Sequence, residues 1–541
     1  MATETRTPSS PPQDSADQRQ HQSRGDDDHG EAEELLSDAN GPAHHPLAPA
    51  DELFDIQTTV DPGYIISLIR RLLPSVERHH YTQGSDHGDD PSGKSENDLA
   101  EDDVATLSRN SAESSVCDGA ISVDIGNIDH LRSPKSQATG VESRLAREEV
   151  WEESGCILWD LAANKSHAEF MVENLVLEVL LANLLTSNSV RITEISMGII
   201  GNLACHEGLM KKMISTNGLV EAILDQLFLD DTPCLSETCR LLGLGLGIPE
   251  RITWATALQS EHLLSRILWI AENTLNPQLI EKSSGLLLAI VENEPEVVAM
   301  FLPTLKNLGL MHILVNLLSF ELSKLSERLP ERYPALESIL RVIEAVSTSN
   351  EYSQEISFNL ELFQMAVELV KLPDKLEVAS SCITAAVLVA NLLTDSTHLA
   401  LELSKDPMIL QCLFDLFPLT SDDFEARNAI WSIVSRILVQ VKEDDMSSSY
   451  LATYVLALVS NSDLIEDDLL DYPLETSSQE EDSSSHGTGK LNFREIALKQ
   501  ILSLLDQWIM VKDRDSISSG GNHVADGDVQ KLLDCCLRHT S

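Results

Sequence analysis

The chain has 541 residues, only 4% of them aromatic, and a formal net charge of −49. Abundant aliphatic side chains with few rings favour helices packed on helices over a β-sandwich. The charge disfavours direct binding to nucleic acid or to anionic lipid and suits basic protein segments, although strong charge also keeps a long apolar array in solution.

The nine cysteines show no C-x-x-C pair and no disulfide framework, which is typical of a reducing compartment, the cytosol or the nucleus. The N-terminal segment is polar and rich in Pro and Asp, unlike a secretory signal. We find no run of about 18 uncharged apolar residues and therefore expect no transmembrane helix.

The N-terminal part predicts one short helix between two segments without a core. Residues 1–61 form an acidic segment that we expect to be disordered, because it holds too few large apolar residues to offset chain entropy. Pro62 then starts an amphipathic helix predicted over residues 62–78, which should dock on the first end of the folded array. Residues 79–146 read as a second disordered linker.

Residues 147–515 predict an all-α, armadillo/HEAT-like α-solenoid of about seven units. Apolar helical stretches recur at about 40–47 residues, the period of such arrays. We interpret each unit as a helix pair, with Asp, Asn and Pro in the turns serving as helix caps and starts. Residues 464–490 look like a disordered acidic insertion, and residues 516–541 like a C-terminal tail with a possible short helix.

No motif predicts catalysis or metal binding. The glycines of residues 243–247 end a helix before Pro249, so they favour close packing over a phosphate loop. His206 lacks the second histidine of a helical zinc site, since Met210 stands four residues later. No serine lies in a nucleophile-elbow frame. We therefore expect no enzyme activity, no cofactor and no metal.

Armadillo repeats that hold basic peptides use a Trp followed four positions later by an Asn. Here Asn202 is preceded by Gly198 and Asn391 by Val387, so this ladder is missing. An importin-type groove is therefore disfavoured. We expect both asparagines to bond neighbouring backbone, because polar residues buried between repeats need partners.

Four segments within residues 148–246 carry a family resemblance: Ile157–Leu161, Ala168–Met171, Arg191–Cys205 and Leu235–Leu242. Together they resemble the serum-amyloid-A-like (SAAL) family of armadillo-type proteins. The resemblance implies a nuclear or nucleocytoplasmic protein linked to cell proliferation, with no activity and no cofactor.

Our leading functional hypothesis is a non-catalytic scaffold that binds protein partners of unknown identity, with the oligomeric state left open. Armadillo grooves are lined by the closing helix of each unit, so polar residues there are candidates for partner binding: Arg191, Glu194, Glu237 and Arg240. The alternative is that these four form ion pairs within the array. The rival function is a nucleocytoplasmic transport receptor or adaptor for basic segments, which requires salt-sensitive binding.

Overall fold

The computed structural model describes residues 60–74, 135–349, 351–352, 355–356, 358–420, 423–441, 447–471, 492–514 and 524–540. All regular structure in these ranges is helical, with 23 α-helices and a few short 3-10 turns. The helix α1 spans Pro62–Arg71, and the remaining helices belong to the unit Val60–Ser541 as well. The acidic tail predicted over residues 1–61 lies outside the described residues except for Val60 and Asp61.

Eight helices pack side by side in chain order, each against the next, and we call them the ladder helices. They are the closing helices of successive units, and the first begins at Lys135, so the linker predicted over residues 79–146 is wrong for residues 135–146. Their ranges are α2, Lys135–Ala162; α5, Val190–Ala204; α8, Thr232–Leu246; α11, Pro277–Val291; α14, Tyr333–Ser347; α16, Ala379–Asp395; α19, Phe424–Gln440; and α22, Phe493–Arg514.

A second row backs the ladder, and the buried aliphatic core lies between the two rows. These backing helices are α4, Val176–Thr186; α7, Leu219–Asp225; α10, Glu261–Asn273; α13, Leu310–Leu325; α15, Leu360–Val370; α18, Met408–Phe414; α20, Ser448–Ser460; and α23, Asp526–Thr540. This arrangement confirms the predicted armadillo/HEAT-like solenoid, since each unit buries its apolar faces against its neighbours.

Most units contain a third helix, so the prediction of helix pairs was incomplete. Four of these six edge helices have fewer than ten residues, so a helical period is hard to recognise in their sequences. They are α3, Lys165–Glu173; α6, Glu207–Ser215; α9, Arg251–Leu258; α12, Pro295–Asn307; α17, Thr397–Leu403; and α21, Ser462–Asp471.

Side-chain caps set the starts of the ladder helices, as the turn residues predicted. Asp231 accepts from the backbone N–H of Cys234 and starts α8. Asn276 caps α11 ahead of Pro277, and Asp423 caps α19. Each cap satisfies one of the backbone N–H groups that lack a partner in the first helical turn.

The turn between edge helix and backing helix repeats a left-handed backbone residue. Gly218 and Gly309 hold this position before α7 and α13, both with φ of +82°. In the first unit the same place before α4 is held by Leu175, with φ of +66°. A side chain makes this conformation costly, by about 1–2 kcal/mol, so the first unit carries strain that the later ones avoid.

Helix α1 packs against α2 and α3 at the first end of the array. It is shorter than the predicted residues 62–78: the helix ends at Arg71, Leu72 is its C-cap, and residues 75–78 lie outside the described part of the chain. The N-terminal start at Pro62 follows from the cap that Asp61 provides by accepting from Gly63 N–H.

The disordered insertion predicted over residues 464–490 is wrong for its first part. Helix α21 continues to Asp471 and buries Ile465 and Leu469, which stand one turn apart. Acidic neighbours conceal this apolar pair in the sequence. Residues 472–490 lie outside the described residues.

Buried charge fixes α21 to the ladder. Asp468 is 4% exposed; its carboxylate forms an ion pair with Arg427 and accepts a hydrogen bond of 2.9 Å from Trp431 Nε1. Arg494 donates to the backbone carbonyl of Asp468 at 3.2 Å. One carboxylate therefore joins α21 to α19, and its backbone joins it to α22.

The end of the chain is part of the array. In the predicted tail 516–541, α23 buries Val529, Leu532, Cys535 and Cys536 and packs on α22. The described residues of this tail thus complete the backing row.

One helical stretch, Leu376–Thr394, is long and apolar enough to span a bilayer, contrary to our expectation from the sequence. The bent pair α12 and α13 passes the same composition test only if the two helices are taken as one. Residues 376–394 include α16, which packs between α14 and α19, and 56% of the stretch is buried inside the fold. Its apolar character is therefore explained by its place in the ladder.

Candidate functional site

The four residues predicted for partner binding form two ion pairs on adjacent ladder helices. On α5, Arg191 Nη1 lies 2.7 Å from Glu194 Oε2, and this pair raises the pKa of Arg191. On α8, Arg240 donates from Nε and Nη2 to Glu237 Oε2 at 2.9 and 2.6 Å. The pairing within the array that the sequence left open is therefore present, and a role in partner binding stays a prediction.

Arg240 also connects three ladder helices. Its Nη2 donates to Asn202 Oδ1 at 3.3 Å, and Asn202 Nδ2 donates to the carbonyl oxygen of Trp159 at 3.0 Å. The guanidinium lies on Gly201, where a Cβ would stand 2.3 Å from Nη2. This chain of contacts fixes the register of α2, α5 and α8.

Similar side chains reach back to the last carbonyls of the preceding ladder helix elsewhere in the array. These carbonyls lack partners within their own helix, so the contacts satisfy them. The bond from Asn202 to backbone confirms its prediction, whereas Asn391 instead donates to Ser347 Oγ at 3.0 Å. Further examples are His206 to Ala162, Asn293 to Leu246 and Arg436 to Leu393.

The row of charged pairs continues beyond the predicted residues. On α11, Lys282 Nζ lies 2.7 Å from Glu281 Oε1. Arg341 on α14 donates from Nη2 to both carboxylate oxygens of Glu292, at 3.0 and 3.1 Å. The sequence analysis stopped at the family-like segments and missed these pairs, although the adjacent Glu281 and Lys282 were a usable signal.

Two adjoining cavities lie on the ladder helices α8, α11 and α14. The first has a volume of about 460 Å³ and the second about 400 Å³, and both touch Gly247 and Ala289. We call them together the ladder groove. Other residues that line it include Arg240, Gly243, Glu281, Lys282, Gly285 and Ser338.

Two glycines in the middle of helices form part of this groove without being required by the fold. A Cβ on Gly243 would come no nearer than 3.9 Å to its nearest neighbour, Leu286 Cα, and one on Gly285 no nearer than 3.9 Å to Ser338 Oγ. By contrast, a Cβ on Gly245 would stand 2.7 Å from the ring of Trp254. Glycine inside a helix costs about 0.5–1 kcal/mol relative to alanine, and packing explains that cost only at Gly245.

Carboxylates crowd the ladder next to the groove. The pKa of Glu344 is raised, first by burial and then by the negative charges of Glu425 and Glu292. A hydrogen bond with Asn391 and the charge of Arg341 oppose this shift. The surroundings of Glu344 therefore disfavour its charged form.

Another cavity, of about 350 Å³, lies away from the ladder groove where the turns before α14 and α16 meet. Leu325, Leu369 and Val378 line it, and Arg328, whose φ is +51°, stands at its edge 3.7 Å from Asp374. Tyr333 also lines it and donates to Glu377 Oε2 at 3.1 Å, and no motif of the sequence assigns a reaction to these groups.

Neither metal ligation nor thiol chemistry is indicated in the part of the chain that the structure describes. It contains no group of three or more His, Cys, Asp or Glu side chains placed to hold a metal ion. Burial raises the pKa of the Cys239 thiol to about 12 and that of Cys382 to about 11. Thiols with such pKa values remain protonated at neutral pH.

Sequence comparison supports the resemblance to the SAAL proteins. No family model matches the chain. Protein saal1 of Danio rerio is 30% identical over 155 residues, which is 28% of this chain and 33% of that protein. Protein SAAL1 of Homo sapiens is 30% identical over 151 residues, 27% of this chain and 32% of that protein. The match spans about a third of each relative, and over that span the SAAL resemblance is confirmed.

Solved structures similar to this chain include engineered and designed repeat proteins. One engineered protein aligns with a TM-score of 0.40 and 16% identity, covering 72% of this chain and 95% of the other. A designed armadillo repeat protein in complex with the peptide (KR)4 aligns with a TM-score of 0.36 and 16% identity, covering 45% and 94%. The fold assignment rests on the two helix rows.

Proposed function

We propose that this chain is a non-catalytic protein-interaction scaffold whose ladder groove holds an extended segment of a partner protein. The observation that carries the proposal is the pair Gly243 and Gly285. Both sit inside helices at a cost in stability, both border a cavity, and neither is explained by internal packing. The main chain of a partner can pass close to the helix surface at these two positions because glycine has no side chain to block it.

The dimensions of the groove suit a short segment. Ladder helices packed at about 8–10 Å place α8 and α14 about 20 Å apart. An extended chain rises about 3.3 Å per residue, so about six residues span the groove. Paired charges such as Glu237–Arg240 at its rim can exchange hydrogen bonds with a polar backbone.

The test fills the groove without disturbing the fold. We replace Gly243 and Gly285 together, as Gly243→Leu and Gly285→Leu, and use Gly527→Leu as the matched control, because a Cβ there meets no atom within 4 Å. Partners are captured with each full chain and identified by mass spectrometry. A set of partners captured by the native chain should be absent with the groove variant and present with the control.

A photoreactive benzoylphenylalanine at Ser338 provides an independent readout, since Ser338 lines the same cavity. Cross-linked peptides should map to one contiguous stretch of each partner. Partners that bind the folded groove variant as well as the native chain would contradict the proposal.

The four residues predicted from the sequence have their own test. Charge reversal of Glu194 and Glu237 removes carboxylates that are 19% and 17% exposed and frees their arginines. If partners contact this end of the ladder, capture falls in the variant. Unchanged capture with an intact helical spectrum would remove Arg191, Glu194, Glu237 and Arg240 from the binding site.

A second candidate function, a transport receptor or adaptor for basic segments, is favoured by the crowding at Glu344. A lysine or arginine of a cargo placed between Glu344, Glu292 and Glu425 would relieve that repulsion. Binding of a basic peptide should then weaken steeply with salt and with Glu344→Gln plus Glu425→Gln. Binding that is insensitive to both would exclude this function.

We further propose a nuclear location with a link to cell proliferation, which the resemblance to the SAAL family supports. Fluorescence imaging of the tagged full chain in dividing cells tests the location. Exclusion of the chain from the nucleus throughout the cell cycle would overturn it.

A further inference from the structure

Helix α1 fills a site on the array from a distant position in the sequence. Residues 72–134 separate it from α2, the next helix. Its apolar side chains stand at i, i+3, i+4 and i+7 and form one stripe, and each is at most 4% exposed: Ile65, Leu68, Ile69 and Leu72. The site therefore accepts one face of an amphipathic helix.

The same site recognises the end of that helix. Trp151 Nε1 and Asn183 Nδ2 both donate to the carbonyl oxygen of Leu72, at 3.1 and 2.8 Å. Trp151 lies on α2 and Asn183 on α4, and the two residues are only 7% and 4% exposed. A carbonyl in the last turn of a helix has no partner within the helix. These two donors therefore recognise the C-terminus of a helix through a main-chain oxygen.

The occupant itself is weakly suited to stay helical. A helix of ten residues is marginal in water, and α1 includes Gly63 and three isoleucines, which are poor helix formers. Four side chains must offset the ordering of all ten residues. Local opening of such an element requires less free energy than unfolding of the array.

We infer that the surface under α1 is an exchangeable docking site, and that a partner protein's amphipathic helix with the same apolar spacing binds there by displacing α1. A partner helix richer in Leu and Ala makes the same contacts at a lower ordering cost. A second copy of this chain offers only the α1 that each chain already supplies to itself at high effective concentration. This site is separate from the ladder groove, and the inference does not depend on the proposed function.

Fluorescence anisotropy with labelled peptides and the full chain tests the inference. The first peptide has the sequence of residues 60–74, the second adds Gly63→Ala and Ser67→Ala to strengthen the helix, and the third carries Leu68→Asp. We expect the second peptide to bind the native chain several-fold tighter than the first, and the third not to bind. Equal binding of all three would show non-specific adhesion and overturn the inference.

Occupancy by α1 is tested with a full chain carrying Leu68→Asp, whose own α1 cannot dock. We expect it to bind the first peptide at least tenfold tighter than the native chain does. A folded variant with no gain would overturn the inference. A second experiment does not depend on the folding of this variant: a protease site inserted within residues 80–130 is cut after folding of an otherwise native chain. Peptide uptake should rise after the cut, and α1 that does not exchange over hours would also overturn the inference.

Recognition of the helix end has a matched pair of variants. In the cut chain, Asn183→Leu should weaken peptide binding about two- to tenfold, because the Leu72 carbonyl loses one of its two donors. Asn273→Leu removes a similar amide that bonds only within α10 and should leave binding unchanged. Light scattering completes the test: dimers that form by exchange of α1 would assign the site to a second copy and contradict a partner helix.

Discussion

The indole of Trp159 lies directly on Gly198 of the next ladder helix. A Cβ at residue 198 would stand 2.1 Å from both Cε2 and Cζ2 of the ring, closer than real Cβ atoms come to any neighbour. Gly198 stands four residues before Asn202, where peptide-binding armadillo repeats have a Trp. Here that position instead contacts a tryptophan of the preceding repeat. This contact lets α2 and α5 approach closely.

Replacing that glycine should destabilise the first units of the array. Gly198→Ala forces the indole or the helix to shift, and we expect a loss of about 1–3 kcal/mol in the free energy of unfolding. Urea unfolding followed by circular dichroism and by tryptophan fluorescence measures it.

The matched control replaces a glycine of the same helix row where an added Cβ makes only an ordinary van der Waals contact. Gly285→Ala should leave stability unchanged or raise it by up to about 1 kcal/mol, because its Cβ meets nothing closer than 3.9 Å. A loss in this control equal to that of Gly198→Ala would show that close packing by Trp159 is not the cause.

The carboxylate of Asp468 should be essential for the end of the array. Asp468→Ala removes the carboxylate that pairs with the buried guanidinium of Arg427 and that accepts from Trp431 Nε1. Removing one partner of a buried ion pair costs about 3–5 kcal/mol. Hydrogen exchange should show early opening of α21, with α5 and α8 unaffected.

A surface acid on the same helix serves as its control. Asp463 pairs with Lys531 at 2.6 Å but its side chain is 81% exposed. Asp463→Ala should change exchange in α21 little, since solvent screens such a pair. Similar opening in both variants would contradict a special role for the buried carboxylate.

The helical periodicity and the caps at Asp231, Asn276 and Asp423 predicted the repeat architecture, because both are local properties of the sequence. The sequence analysis did not predict two kinds of helix. Edge helices such as α6 are too short to show a period, and α21 buries only one apolar stripe among acidic residues.

The candidate site was less accessible to sequence reasoning than the fold. Polar residues on the ladder could be named, as Arg240 was, but their partners depend on the register between helices far apart in sequence. Arg240 meets Asn202 from the previous repeat, and Gly285 borders a cavity only because Ser338 arrives from the next one. Neither distance follows from spacing within one helix.

Thiol reactivity should follow burial along the array. Cys205 is exposed at the end of α5, whereas burial raises the pKa of Cys239 and of Cys536 to about 12. In brief alkylation of the native chain at pH 8, we expect Cys205 to be labelled and Cys239 and Cys536 to remain unmodified until urea is added. Peptide mass spectrometry assigns each site. Rapid labelling of Cys239 in the native chain would contradict the close packing between α5 and α8.

Glu344 should make the stability of the array fall as the pH rises. Its pKa is raised in the folded state by burial and by Glu425 and Glu292, so over the affected range the folded chain binds a proton that the unfolded chain has released. Stability is therefore gained as the pH falls through the folded pKa and lost as the pH rises through it. Glu344→Gln removes this dependence and should be more stable than the native chain at neutral pH, with the difference shrinking in acid.

Chemical unfolding at a series of pH values from 4 to 8 measures this difference, with Glu272→Gln on the exposed side of α10 as the control that should follow the native curve. Parallel curves for Glu344→Gln and the native chain would mean that neither burial nor the neighbouring carboxylates raise the pKa of Glu344 in the folded state. Glu344 would then offer basic cargo no excess of negative charge, which would contradict the second candidate function.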